Sequence, residues 1–183
     1  MLKTLAQVMF AGLFASLAIA QSTDNCTFKS VQIQKDTTYV YSLNDAGTIV
    51  GQYVPTSSQT CHSEAGFILK ANGSVTCVVW PGSYQTSANA INDSGVVAGA
   101  YTLNAFGSQE GFFWNNGKFT NLIYPGSILT SATGINKAGA IVGSYQDSQG
   151  VFHGFLYFWE ASTPPLTTPA RQARWRAESI IRA

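Results

Sequence analysis

Ile91-Asn92-Asp93-Ser94-Gly95-Val96-Val97-Ala98-Gly99-Ala100-Tyr101 decides the fold, because the chain carries this stretch in three near-copies. Leu43-Asn44-Asp45-Ala46-Gly47-Thr48-Ile49-Val50-Gly51-Gln52-Tyr53 precedes it, and Ile135-Asn136-Lys137-Ala138-Gly139-Ala140-Ile141-Val142-Gly143-Ser144-Tyr145 follows. The first glycines, Gly47, Gly95 and Gly139, lie 48 and 44 residues apart. A recurring period of this length is the sequence mark of a repeat architecture, in which each unit buries its apolar face against its neighbours. Asn-Asp-x-Gly between apolar runs reads as a turn: Asn and Asp bond nearby backbone, and glycine takes a positive φ. The second glycines, Gly51, Gly99 and Gly143, fall inside a strand pattern, where they mark a bulge or a close backbone approach.

Further pieces recur around the motif. Gly66-Phe67-Ile68-Leu69, Gly111-Phe112-Phe113-Trp114 and Gly154-Phe155-Leu156-Tyr157 follow it. Asn72-Gly73 and Asn116-Gly117 are two-residue hairpin signals. Trp80-Pro81-Gly82-Ser83 and Tyr124-Pro125-Gly126-Ser127 close the unit, and their prolines end strands because they cannot donate to a ladder. One unit is therefore four short antiparallel strands, expected in the second copy near 87–91, 96–101, 111–114 and 118–124.

The chain is thus expected to be all-β, with three units of about 44 residues, each the size of a propeller blade. A β-propeller-like domain, whole or part of a ring, is the first architecture. A β-trefoil, which also has three four-stranded units, is the alternative. Phe28-Lys29-Ser30-Val31-Gln32-Ile33 stands where a fourth strand would precede the first motif, and the last unit runs out after its third strand. Pairing of these two ends would complete the last unit.

The Ile-Asn-x-x-Gly-x-Val-x-Gly-x-Tyr pattern, His153-Gly154-Phe155-Leu156 and Tyr124-Pro125-Gly126 resemble the extracellular repeat known as the HAF family, found in exported bacterial proteins. The resemblance covers about Phe28 to Glu160. It implies export and a β-propeller-like build, and it brings no established activity, so no catalytic residue is carried over. The chain departs from the pattern in having histidine before Gly-Phe in the third copy alone, with Ala65 and Glu110 elsewhere. Three copies are also few for a ring of roughly 4–8 blades.

Residues 1–20 read as a cleaved signal peptide: Lys3, a mostly apolar run from Leu5 to Leu17, then Ala18-Ile19-Ala20 as a small-x-small cleavage pattern. A membrane anchor needs about 20 apolar residues, more than this run supplies, and no later stretch is long enough to span. Residues 21–160 form the expected β-repeat domain. Residues 161–183 begin as a Pro/Thr linker at Thr163-Pro164-Pro165. They end in an arginine-rich tail with Trp175 and Ile180 as apolar positions, a basic helix or out-of-frame coding.

Charged residues are 10% of the chain and the net charge is +1, which excludes a strong field toward nucleic acid or acidic lipid. Cys26, Cys61 and Cys77 follow the cleavage point, and an exported chain is able to pair two of them. Strand alternation puts Cys61 and Cys77 at the same end of a unit and Cys26 at the other. Cys61–Cys77 is therefore the expected disulfide, worth roughly 3 kcal/mol if unstrained.

The sequence carries no catalytic, cofactor or metal signature. His62 and His153 lie in different units without metal-ligand spacing. Asp45 and Asp93 occupy the repeated turn, where the third copy has Lys137, so a structural role is expected. Asp147-Ser148-Gln149-Gly150 reads as a loop turn rather than half of a calcium site. Most aromatics recur at fixed strand positions and are expected to pack between units. The irregular loops 54–65, 102–110 and 146–153 are the better places for partner contact. Asn25-Cys26-Thr27, Asn72-Gly73-Ser74 and Asn92-Asp93-Ser94 are glycosylation sequons. The expected function is a non-catalytic exported binding or surface-interaction module for an extracellular ligand, a glycan or a surface protein. A structural cell-surface or matrix protein and a propeller-type hydrolase or lyase acting on extracellular polymer are the alternatives.

Overall fold

Each copy of the motif folds as the hairpin its residues call for. In a computed structural model the described residues are 27–33, 36–55, 61 and 64–158. The chain divides into two compact units, Met1–Ser30 and Val31–Ala183, and the fold described here belongs to the second. The expected signal peptide, Cys26, His62 and the tail 161–183 lie outside the described residues, as do residues 56–60.

Eleven antiparallel strands are described: β1 Thr37–Leu43, β2 Ile49–Val54, β3 Ala65–Leu69, β4 Val75–Val78, β5 Gln85–Ile91, β6 Val97–Thr102, β7 Glu110–Asn115, β8 Lys118–Leu122, β9 Leu129–Ile135, β10 Ile141–Gln146 and β11 Phe152–Tyr157. They form three sheets with neighbours in chain order, β1-β2-β3-β4, β5-β6-β7-β8 and β9-β10-β11. The four strands expected in the second copy are β5 to β8, displaced by no more than two residues at any end. Among the described residues no helix is long and apolar enough to cross a membrane.

Glycine is required at the second position of every copy by a bulge. The register shifts between Val40 and Ser42, and between Ala88 and Ala90, so that Tyr41 and Asn89 are extra residues opposite β2 and β6. A matching shift in the third sheet leaves out Thr133. The bulge pushes a carbonyl toward the partner strand. A Cβ on Gly51, Gly99 or Gly143 would stand 1.9, 2.1 or 2.0 Å from the carbonyl oxygen of Tyr39, Ser87 or Ser131. The ring of Phe67, Phe112 or Phe155 lies over the same glycine, which explains why Gly and Phe recur together.

Sheets pack face on face. Val50, Ile68 and Val78 of the first sheet share a core with Ala88, Ile91, Val97, Tyr101 and Phe112 of the second. Val96, Ala98, Phe113 and Leu122 on or beside the second sheet share another with Ala132, Ile141, Phe155 and Tyr157 of the third. Val50, Val78, Ala98 and Phe112 are fully buried, and a buried aliphatic or aromatic side chain contributes about 1.5–3 kcal/mol. Phe112 and Phe155 pack between sheets as expected, and Phe67 packs in a cluster with Ile33, Cys61 and Ala65.

Two expectations are corrected. Phe28–Ile33 is not a strand, and the third sheet has three strands among the described residues. An extended segment becomes a strand by pairing, and among the described residues this one has no ladder partner. Ile33 instead closes a turn, accepting from the Asp36 amide at 2.9 Å and donating its own amide to Thr38 Oγ1 at 3.1 Å. The Asn72-Gly73 loop is also longer than two residues: Gly73 N donates to Lys70 O and Lys70 N to Ser74 O, both at 2.9 Å. Gly73 alone has positive φ there, whereas Asn116 and Gly117 both do, at 47° and 86°. The second hairpin is the tight one because asparagine accepts the left-handed conformation that both its central positions require.

Candidate functional site

The strands present two ends to solvent, and the asparagine turns build the first of them. Asn44, Asn92 and Asn136 each accept with Oδ1 from the amide four residues on, at 2.9, 3.0 and 2.9 Å. Gly47, Gly95 and Gly139 take φ of 72°, 79° and 86°. Asn44 Nδ2 donates to Asn92 O at 3.2 Å, and Asn92 Nδ2 to Asn136 O at 3.1 Å, so the side chains form a ladder from sheet to sheet. Asp93 Oδ1 accepts from the Asp45 amide at 3.0 Å. Lys137 has no acceptor to offer at the next step. Asp93 therefore has the structural role expected of it. Asn92 is buried with its amide committed to the ladder, which makes its sequon a poor modification site.

Loops 102–110 and 146–153 and the Pro-Gly-Ser turns occupy the opposite end. Thr86 and Thr130, both buried, pin these turns. Trp80 N and Tyr124 N donate to their Oγ1 atoms at 3.0 and 3.1 Å, and Ser83 and Ser127 hydroxyls lie 2.8 Å from them. Pinning sets an aromatic ring against the tyrosine that ends the motif. Trp80 stacks on Tyr101 with centroids 4.1 Å apart, and Tyr124 on Tyr145 at 3.6 Å, each pair within 5° of parallel. Sequence reading assigned these rings to general packing and missed the stacked pairs.

What surrounds the tyrosine that ends the motif differs from sheet to sheet. In the first, Tyr53 and Ala65 are fully buried with Ile33, and Cys61 and Cys77 stand at disulfide distance, Cα–Cα 6.1 Å, as the strand alternation predicts. In the second, the Tyr101 hydroxyl donates to Glu110 Oε2 and also meets Asn121 Oδ1 at 3.4 Å. Burial, with the Glu110 hydrogen bond behind it, pushes the Tyr101 phenol well above its usual range. In the third, His153 pairs with Tyr145 across the β10–β11 ladder and stacks on it at 5.0 Å.

Asp147 completes the third arrangement. Its Oδ2 lies 2.8 Å from His153 Nε2, and its Oδ1 accepts from Gln149 N at 2.9 Å and Val151 N at 3.0 Å. The hydrogen bond to His153, followed by that from the Val151 amide, holds its carboxyl below the usual range. Hydrogen bonding with Tyr124 raises the Tyr145 phenol. His153 is 41% exposed and Asp147 31%, so both are reachable from solvent. The turn expected at 147–150 is present, with Gly150 N donating to Asp147 O at 3.0 Å. His153 and Asp147 were noted separately in the sequence. The hairpin centred on Gln149 brings them together, and the equal distance of Tyr145 and His153 from that residue was the available signal.

Loop 102–110 adds Phe106, fully exposed, and Leu103, half exposed, at the same end. Asn104 shapes the loop by accepting from Phe106 N at 3.1 Å. Among the described residues no cluster of three or more His, Cys, Asp or Glu could hold a metal ion. No family model, no curated protein and no solved structure matches this chain.

Proposed function

We propose that this protein is an exported, non-catalytic binding module of β-propeller-like build, of the HAF repeat type its sequence resembles, and that it takes a neutral extracellular glycan at the loop end. Three antiparallel sheets with neighbours in chain order, packed face on face, support the propeller-like reading over the trefoil. The observation that carries the binding reading is the contrast between the ends. One repeats a single hydrogen-bonded turn, while the other places two aromatic stacks beside Glu110 and Asn121 in the second sheet and beside His153 and Asp147 in the third. Aromatic rings beside fixed hydrogen-bonding groups suit the apolar faces and hydroxyls of sugar rings.

The test is a thermal-shift and calorimetric screen of the purified chain against soluble polysaccharides. Binding to at least one is expected, lost in Phe106→Ala and His153→Ala and kept in Lys137→Ala at the opposite end. No binding across a broad panel, or equal loss at both ends, sinks the reading. The His153–Asp147 contact favours a second one, hydrolysis or elimination on the same polymer, since a carboxylate orienting an imidazole is the pairing a general base uses. Release of reducing ends that disappears in His153→Ala would select it.

A further inference from the structure

Sheets of this chain meet through unlike faces. β5 packs on β2 and β3, and β9 packs on β6 and β7. The leading half of each junction is Ala88 and Ile91 in the second sheet, and Ala132 and Ile135 in the third. The receiving half is Val50 and Ile68 in the first sheet, and Ala98 and Phe113 in the second. One further half of each kind is left open. The bulge register aligns Val40 and Leu43 of β1 with Ala88 and Ile91. Both are exposed, at 45% and 66%, where their counterparts are buried. The ladders align Val142 and Leu156 of the third sheet with Val50 and Ile68. These are 47% and 39% exposed, and again their counterparts are buried.

We infer that the two open halves meet in one further junction, made head to tail between two copies of the chain, with β1 of one copy on β10 and β11 of the other. Continuity with the junctions inside the chain is the first reason, since both pair a leading half with a receiving half. The second is the lead-in to β1. Ile33 N donates to Thr38 Oγ1 at 3.1 Å, as Trp80 N and Tyr124 N donate to Thr86 and Thr130. Ile33 lies buried with Tyr53 where Trp80 lies on Tyr101. The first sheet thus has the same entry turn as the two sheets that pack on a preceding one.

The third reason stands at the turn end. The asparagine ladder steps from Asn44 to Asn92 to Asn136, and Asp93 accepts from the Asp45 amide. One step more brings Asn136 Nδ2 to the Asn44 carbonyl of the next copy. The same step brings Lys137 to the next copy's Asp45 carboxylate. Both are exposed, and their opposite charges meet head to tail, whereas a pairing of like faces would set each against itself. An exposed pair of this kind fixes register more than strength. β1 and the Val142 face carry no Lys, Arg, Asp, Glu or His, so the junction buries no charge.

A chain with one half of each kind closes into a ring or grows without limit. Two copies bring six sheets, inside the roughly 4–8 blades of a propeller, so the assembly closes as a pair with two identical junctions. The count of two rests on the propeller-like reading above; the head-to-tail contact does not, and neither depends on what the loop end binds.

Cross-linking and sedimentation velocity test both parts on the full chain carrying Cys26→Ser, which removes a thiol able to link copies. Asp45→Cys with Lys137→Cys should give a covalent dimer on mild oxidation. Neither single variant should, because position 45 then faces 137 and not itself. Within one chain the two positions stand two sheet spacings apart, about 20 Å, beyond the reach of a disulfide. In the centrifuge the parent should pass from monomer to dimer as its concentration rises to roughly 100 µM. Val40→Asp with Leu43→Asp blocks the head, and Val142→Asp with Leu156→Asp blocks the tail. Each should be monomeric alone, and the two should pair one to one when mixed. If either loses its circular dichroism spectrum, the cross-linking decides, because its substitutions sit on exposed turns. A monomer throughout with no cross-link overturns the proposal, including the case in which residues 159–183 of the same chain cover the Val142 face. Dimers of one blocked variant alone, or cross-links in the single cysteine variants, overturn the head-to-tail contact. Growth beyond two copies overturns the closed pair.

Discussion

The asparagine turns and the loops opposite them sit on the same strands, and they differ in how much variation they tolerate. At the turns, three copies repeat one bond length to within 0.1 Å, because each asparagine serves its own hairpin and, in the first two copies, the next sheet as well. At the loops, the residue facing the terminal tyrosine is Ala65, Glu110 or His153. A position that holds both a hairpin and an interface has few acceptable residues. A position that only finishes a strand at a loop has many, and that freedom is where binding chemistry is able to differ from sheet to sheet.

The comparison breaks first at the bulges that hold both ends in register. Gly99→Ala puts a carbon 2.1 Å from the Ser87 carbonyl oxygen, a backbone atom that cannot swing away. A loss of about 3 kcal/mol or more is expected in urea unfolding, and a loss under 1 kcal/mol would mean that the bulge relaxes. Next in size is the Cys61–Cys77 link across 16 residues. Reducing it should cost roughly 3 kcal/mol and raise amide exchange in β3 and β4 more than in β10.

Asn92→Ala sharpens the contrast within the ladder. It removes both the acceptor for Val96 N and the donor to Asn136 O from a buried position, for roughly 2 kcal/mol. Asn136→Ala, at an exposed turn, should cost less than half as much in the same denaturation assay. Equal effects would deny that the ladder between sheets matters.

The smallest effect belongs to the loop end. The Asp147 carboxyl is held below 3.8 in the folded state. Its stabilisation is therefore present above that value and is lost as pH falls through the lower folded value. Melting temperatures of the parent and Asp147→Asn should differ slightly at neutral pH and converge as pH drops below about 3.8. A gap that persists in acid would assign the difference to something other than the carboxylate.

Much of this fold was legible before any coordinates. Gly51, Gly99 and Gly143 announced the bulges, and Pro81 and Pro125 marked the ends of β4 and β8, because backbone geometry acts locally and leaves a local trace. Strand alternation also selected Cys61–Cys77. The expected strand at 28–33 failed for the opposite reason: a strand exists through its partner, and no partner is encoded in those six residues. The candidate site was half legible. Asp147 and His153 stood out as isolated polar residues, but their 2.8 Å contact depends on the register of β10 against β11.

By itself, then, the sequence determined an all-β chain of recurring hairpins, the turn residues at each corner and the disulfide partners. All of these follow from φ preferences, missing amide hydrogens and the two-residue period of a strand. Tertiary structure alone decided that an asparagine reaches the neighbouring sheet, that Trp80 and Tyr124 stack on Tyr101 and Tyr145, and that Val50 and Ala98 are buried where their counterpart Val142 is exposed. Those outcomes depend on how separately folded sheets meet, and contacts between residues some 44 positions apart are set by packing, which no local preference records.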